Sequence, residues 1–311
     1  MLARLKPQKY GTPAALLLVC AGFAALSPDS FATLTNLVNI TQQMALLAIV
    51  AFGATFVMVL GEFDLSVAAQ ASWAGIAVYL LLQSGWGVVA AAAATLLASA
   101  VFAAASGVLV AVFAVPSFIA TLAGGTIIGG MTFWASGGAT LFGHAPPAFR
   151  ALARGGVAGV PVLTLWMLAG FAATAGVLAE TEFGRRLYAI GGNREAARLA
   201  GVPVRRDMVV AFVLSGVLSA GAGVLLAARL GSAQPTGGGG FLLSSYAAVF
   251  LGMTAFREGE PNAAGTLVGA AIIAALANGL TILDVPSFVQ DMATGAIILA
   301  AVLVRRLSRQ G

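Results

Sequence analysis

Residues 180–207 read ETEFGRRLYAIGGNREAARLAGVPVRRD and hold ten of the 27 formally charged residues, 16 basic and 11 acidic. Apolar chain flanks this island on both sides. A charged side chain at the centre of a bilayer costs about 3 kcal/mol on insertion scales. An island of this density between apolar runs therefore belongs in water beside a membrane, and the flanking runs belong in the membrane.

The rest of the composition agrees. Of 311 residues, 60% are hydrophobic and 9% charged, against roughly 25% charged in a soluble domain. Apolar stretches of about 20 residues, the length of a membrane helix, recur along the chain. The expected fold is an all-α integral membrane protein forming one polytopic domain over 1–311. Its water-facing parts are 1–11, the loop 180–207 and 305–311, and no loop is long enough to fold alone. The net charge of +5 does not indicate nucleic acid, because the basic residues are spread over several loops rather than packed in a tract. Cys20 stands alone in the first apolar stretch and fits a packing role. The N-terminus resembles a signal peptide, but with so many later spans it reads as a retained first helix.

About ten spans are expected, at 12–28, 44–60, 66–82, 88–113, 117–136, 161–179, 208–229, 241–256, 264–283 and 288–304. The uneven lengths suggest tilted or re-entrant pieces. Ten spans place both termini and the island, between spans six and seven, on the cytoplasmic side. That puts thirteen of the sixteen basic residues inside, leaving Arg150, Arg154 and Arg229 outside. The loop 137–160 carries the single histidine, His144, which reads as solvated. The glycine run in 230–240 reads as a gate, a docking surface or a bend. Val115-Pro116-Ser117-Phe118 opens span five and Val285-Pro286-Ser287-Phe288 opens span ten. Five spans separate them, so a repeat of that length is inverted in the membrane.

Within the island, Gly191-Gly192 breaks the chain and Asn193 is a good N-cap, with Glu195 in the first turn. Arg194, Glu195, Ala196, Ala197, Arg198 and Leu199 favour helix. Gly201 ends it and Pro203 follows. The small Ala196 and Ala197 leave room for another protein to approach.

These residues resemble a known pattern. Glu195-Ala196-Ala197, three residues, then Gly201 is similar to the EAA loop of ABC importer permeases. The wider string GRRLYAIGGNREAARLAGVPV resembles the same loop in the ribose-type sugar permeases. Gly61 to Val67, GEFDLSV, resembles that family's GGIDLSVG; Val115 to Thr121 and Asn278-Gly279-Leu280 continue the likeness from about residue 36 onward. The resemblance implies a cytoplasmic coupling helix seated on a separate ABC ATPase, which binds ATP and magnesium. It further implies a second permease subunit, like or unlike this one, and a periplasmic or lipid-anchored solute-binding protein. Together they would import a sugar across a bacterial inner membrane by alternating access, with no cofactor on this chain. The residues agree on one point independently. The only lysines are Lys6 and Lys9, ahead of the first span, so this chain has no Walker A lysine and the motor is another polypeptide.

Asp64 lies between spans two and three. It reads either as the cap of the third span or as a functional acid in the pathway. Glu62 replaces a family glycine and suggests an inward cavity. The stretch LGMTAFREGEPN, 251–262, departs from the family's glycine-rich turn and reads as an inner loop with local ion pairs, or as an added ATPase contact. Polar groups in apolar spans (Asn39, Gln42, Gln43, Gln70, Ser72, Thr121, Thr126, Asn278, Thr281) suit a neutral hydroxyl-rich solute. Trp73, Phe118 and Phe133 could face sugar C–H surfaces. Asp64, Ser66, Gln70, Trp73, Phe118, Thr121 and Asn278 are the candidate pathway set. Branched-chain amino acid or nucleoside permeases of the same superfamily, and a secondary transporter using Asp64, Glu62 and Asp291, are the alternatives. Scattered acids with one cysteine and one histidine make no catalytic set.

Overall fold

The computed structural model describes residues 11–308 except 144, 254, 257 and 258; side chains are described to Ile297 and at Leu299. Arg4, Lys6, Lys9, His144, Arg257, Glu258 and Arg309 lie outside the described residues, as do the side chains of Arg305 and Arg306.

The chain folds as α1 (Gly11–Leu26), α2 (Pro28–Phe31), α3 (Leu34–Val59), α4 (Val67–Gln83), α5 (Val88–Ala111) and α6 (Ser117–Ser136). A loop follows with β1 (Leu141–Phe142), α7 (Pro147–Ala151), β2 (Gly156–Val157) and β3 (Val160–Pro161). Then come α8 (Val162–Glu180), α9 (Glu182–Gly192), α10 (Arg194–Leu199), α11 (Val204–Leu230), β4 (Ser232–Ala233), α12 (Phe241–Gly252), α13 (Ala263–Ile282) and α14 (Ser287–Ser308). Among the described residues, α3, α5, α6, α8, α11 and α13 are long and apolar enough to cross a membrane. The protein is thus an all-α, multi-pass membrane protein. Its strands are two-residue pairings in the loops, β1 with β4 and β2 with β3.

Three boundaries differ from expectation. The second span begins at Leu34, not 44. Thr33 caps it, its hydroxyl accepting from the Asn36 amide at 3.1 Å, and Asn36 bonds Asn278 of α13 at 2.9 Å. The polar run Asn36–Gln43 reads as loop only while those partners are unknown. At the other extreme, α12 has 12 residues, about 18 Å of rise, short of a hydrocarbon core of about 30 Å. Finally, Gly191-Gly192 forms the last turn of α9, and the break falls at Asn193, whose backbone is extended.

Small residues set the packing. Every residue from Met44 to Leu60 is buried, and α11 packs against α3, α4 and α5. A Cβ on Gly53 would stand 2.9 Å from the Ser215 carbonyl oxygen; on Gly107, 3.0 Å from the Val209 Cα. Gly216 meets the Ala103 side chain, and Gly223 meets the Ala71 backbone. In the same way Gly252 abuts Gly265, and Gly269 abuts Ala248, joining α12 to α13. Such residues let helices approach where no hydrophobic drive exists between helix and lipid. Leu97, Val101, Ile127, Trp134 and Trp166 stay exposed on α5, α6 and α8.

At the end of α11 remote from the island, Arg154 donates to the carbonyls of Arg229 (2.7 Å) and Leu230 (3.0 Å), capping the helix C-terminus. The glycine run is a bend packed at one point: Gly238 is buried and donates to the Ser72 hydroxyl at 2.9 Å, while Gly239 and Gly240 are exposed. The Val-Pro-Ser-Phe copies share a conformation. Each follows a non-glycine residue with φ 54°, Ala114 or Asp284, and each starts its helix at the serine, Ser117 or Ser287.

Gly223 and Gly221 provide a test of the seam between α11 and α4. A Cβ at Gly223 collides with Ala71, whereas Gly221 faces open space. Gly223→Ala is expected to cost about 1–3 kcal/mol through overpacking and Gly221→Ala close to nothing. Thermal denaturation of the two purified variants, compared with the parent, reads the difference.

Candidate coupling site and polar interior

The island folds as two helices. Thr181 caps α9, accepting from the Gly184 amide at 3.1 Å. Gly184, Leu187 and Ile190 form its buried face, and Gly191 lies against the Val59 backbone where a Cβ has no room. Asn193 then caps α10, its Oδ1 accepting from the Ala196 amide at 2.9 Å. Gly201, with φ +82°, turns the chain out of α10, and the Val202 amide closes back onto the Ala197 carbonyl at 3.1 Å. This is the capped helix expected from Asn193 to Gly201.

The two alanines divide. Ala197 is buried against the fold, while Arg194, Glu195, Ala196, Arg198 and Leu199 are exposed. Leu199 is 75% exposed, an apolar side chain left facing outward on a short charged helix. Glu195 and Arg198 form a two-pronged pair at 2.5 and 3.0 Å. The arginine's hydrogen bonds hold the Glu195 carboxyl below its ordinary value. What the pair contributes is therefore complete at neutral pH and is lost only as pH falls through that lowered value.

Three ties anchor the island. Arg186 donates from Nε to Asp207 Oδ2 at 2.6 Å and lies 3.4 Å from Glu182. Asp207 is fully buried in the first turn of α11. Its hydrogen bond holds Arg186 more firmly protonated. Tyr188 donates to the Pro261 carbonyl at 2.7 Å, which joins α9 to the loop after α12. Arg194 pairs with Glu62 in the turn between α3 and α4. Glu62, expected to line an inward cavity, instead anchors α10.

Four consecutive amides next to Glu62 are irregular and inward. Phe63 donates to the Ser117 hydroxyl (3.2 Å) and Leu65 to the Thr121 hydroxyl (2.9 Å), both on α6. Asp64 donates to the Tyr246 hydroxyl of α12 (2.6 Å), and Ser66 to Asp64 Oδ1 (3.0 Å). The Asp64 carboxylate also accepts from the Ser66 hydroxyl (2.5 Å) and from Ser215 of α11 (2.7 Å). Asp64 thus closes the turn that leads into α4. It caps through Ser66, ahead of the helix, rather than through the first helical amides.

The candidate pathway residues fall into separate places. Asp64, Ser66 and Thr121 share this turn. Gln70 and Trp73 lie further along α4; the Trp73 ring meets Phe102 edge-on at 5.9 Å. Asn278 is bonded to Asn36 at the opposite end of α3. Phe118 is exposed on the surface of α6. Arg186, Tyr188, Leu199, Asp207, Ser215 and Tyr246 escaped the sequence reading. Only Leu199 carried a signal there, as an apolar residue in a charged segment.

The Asp64 turn separates structure from proton chemistry. Asp64→Ala leaves the Ser66 amide and the Ser215 hydroxyl without their acceptor, at about 1–3 kcal/mol for each buried group. Asp64→Asn keeps an acceptor oxygen and the turn. Fluorescence size-exclusion chromatography is expected to find Asp64→Asn folded and Asp64→Ala largely lost. Equal loss in both would mean that the charge itself is required.

A family model described as branched-chain amino acid transport system / permease component matches residues 36–302. The ribose import permease protein of Bacillus subtilis is 39% identical over 300 residues, covering 96% of this chain and 93% of that protein. Its Escherichia coli K12 counterpart is 38% identical, covering 93% and 91%. The xylose transport system permease protein of Escherichia coli K12 is 31% identical, covering 97% and 92%. No solved structure gives a significant match. By the extent of these matches, the chain belongs to the branched-chain amino acid transport system / permease component family, and within it resembles the ribose-type import permeases.

Proposed function

We propose that the chain is the membrane-spanning subunit of an ATP-driven importer for a monosaccharide or similar small polyol. The observation that carries this is the 37–39% identity to ribose import permeases over 93–96% of this chain. The family description also covers branched-chain amino acid systems, which keeps an amino acid cargo as the second reading. Ser66 and Thr121 are neutral, and both Asp64 oxygens are already taken by Ser66 and Ser215, which leaves no free carboxylate for an ammonium group and favours a hydroxyl-rich solute over a zwitterion.

In this reading the chain passes ten times through a bacterial inner membrane, the short α12 completing its pass together with the bend before it, with both termini and the island in the cytoplasm. The Val-Pro-Ser-Phe copies then mark two inverted halves. The exposed face of α10, Arg194, Glu195, Ala196, Arg198 and Leu199, seats in a cytoplasmic ABC ATPase, with Ala197 and Gly201 shaping the helix behind it. ATP and magnesium bind that partner, because this chain carries no Walker A lysine. A second permease subunit completes the pore, and a periplasmic or lipid-anchored binding protein delivers the solute. Asp64, Ser66 and Thr121 support the lining rather than move a charge, with Gln70, Trp73, Phe118 and Asn278 as further candidate lining groups. Movement of the seated helix passes to α11 through Arg186–Asp207 and to the α3–α4 turn through Arg194–Glu62.

Proteoliposomes holding the chain with its ATPase and binding protein are expected to take up radiolabelled ribose only with ATP. Uptake by the chain alone on an ion gradient would overturn the reading, and leucine uptake in place of ribose would select the amino acid alternative. In the same assay Leu199→Asp and Glu195→Lys are expected to lower uptake at least about tenfold and to weaken co-purification of the ATPase, since a buried charge mismatch at a contact centre costs about 2 kcal/mol or more. Both variants should leave the thermal stability of the permease near that of the parent.

A further inference from the structure

Among the described residues, six buried side-chain nitrogen and oxygen atoms have no hydrogen-bond partner on the protein. Five of them belong to four residues on three helices: Gln70 Nε2 and Oε1, Trp73 Nε1, Ser99 Oγ and Ser219 Oγ. Gln70, Ser99 and Ser219 are completely buried. Buried polar groups in proteins are overwhelmingly paired, so such a concentration needs a cause.

Helix register brings the four together. Along α5, Gly107 faces Val209 and Phe212, and Ala103 faces Gly216. The helices run antiparallel, so one turn further on Ser99 comes level with Ser219. Asp64, in the turn that leads into α4, bonds Ser215, and Ala71 within α4 meets Gly223, so α4 and α11 run parallel. The Gln70 side chain reaches back to Gly216, where a Cβ would stand 3.2 Å from Gln70 Nε2 and 3.4 Å from the Ser99 carbonyl. Trp73 lies one turn beyond Gln70, against Phe102, which lies one turn from Ser99.

The chemistry of the group is neutral and mixed. The glutamine amide donates and accepts, the indole donates, and each serine does both. The nearest acid, Asp64, has both oxygens taken by Ser66 and Ser215. A hydroxyl, which also donates and accepts, is the matching guest. The contact of Gly216 with Ala103 leaves no width for a sugar ring while α5 and α11 are packed together. Water matches that chemistry and is the smallest such guest, and polar sites between membrane helices are where it is retained.

We propose that Gln70, Trp73, Ser99 and Ser219 form an internal hydroxyl-binding site between α4, α5 and α11, filled by ordered water in this packed arrangement. The site assumes nothing about the cargo. It gives α11, the helix tied to the island through Asp207, a seam of exchangeable hydrogen bonds against α4 and α5.

The test uses the full chain assembled with its ATPase in lipid nanodiscs. An electron cryo-microscopy map that resolves ordered water is expected to show density within hydrogen-bond reach of the Gln70 amide and of Ser99 or Ser219. That density should be unchanged by saturating ribose. Ring-shaped density appearing there with ribose would overturn the assignment to water and give the hydroxyls to the solute. In parallel, Gln70→Met keeps the side-chain length and removes the hydrogen bonds. Its melting temperature is expected to fall by several degrees, with a smaller fall for Ser219→Ala. A map without such density, or a Gln70→Met protein as stable as the parent or more so, overturns the proposal.

Discussion

An amide packed among membrane helices is cut off from bulk water, and the turn from Phe63 to Ser66 is built around that constraint. Each of its four amides is met by a side chain: Ser117, Tyr246, Thr121 and Asp64. Irregular backbone survives at such a place only when its polar groups are satisfied internally. The partners come from α6 and α12, and Ser215 of α11 completes the Asp64 carboxylate. Satisfying one turn therefore fixes the relation of five helices: α3 and α4 on either side, and the three that supply partners.

The second constraint is distance. Polar partners reach the turn only because α11 lies close against α3, α4 and α5, and glycines at 53, 107, 216 and 223 permit that approach. Steric closeness and hydrogen bonding are thus not separate contributions here. A Cβ at Gly53 would press on the Ser215 carbonyl, the same residue whose hydroxyl serves Asp64. Thr55 with Thr266 (2.8 Å) and Asn36 with Asn278 add the same kind of bond between α3 and α13, each modest alone.

The sequence made legible what depends on composition and local chemistry. The charge gap between apolar runs located the membrane, and Asn193 with Gly201 outlined α10, because capping preferences act over three or four residues. What it concealed depends on partners distant in the chain. Glu62 looked like a cavity lining because Arg194, 132 positions away, is invisible to local pattern. The start of α3 looked like loop because Asn36 finds Asn278 across 242 positions. Ser99 and Ser219 look like ordinary helix serines until register brings them level with each other, near the end of the Gln70 side chain. Asp64 sat between two readings for the same reason: capping chemistry was visible, but Tyr246 and Ser215 were not.

The island's ties differ in kind, and the difference bears on how a force applied to it would travel. Glu195–Arg198 is a pair within α10, both residues exposed, of the sort worth little on a surface. It stiffens the helix without attaching it to anything. Arg186–Asp207 joins a half-exposed cation to a fully buried carboxylate, and separating them would strand that carboxylate without compensation. Under load the chain gives first where separation is cheap. In the proposed coupling role α10 can therefore adapt to its seat, while α9 and α11 move as one body. Glu62 stands between these cases, half-buried and paired with an exposed arginine. It lies next to the one turn whose hydrogen bonds reach α6, α11 and α12, so even a yielding contact there acts on the junction where those helices meet.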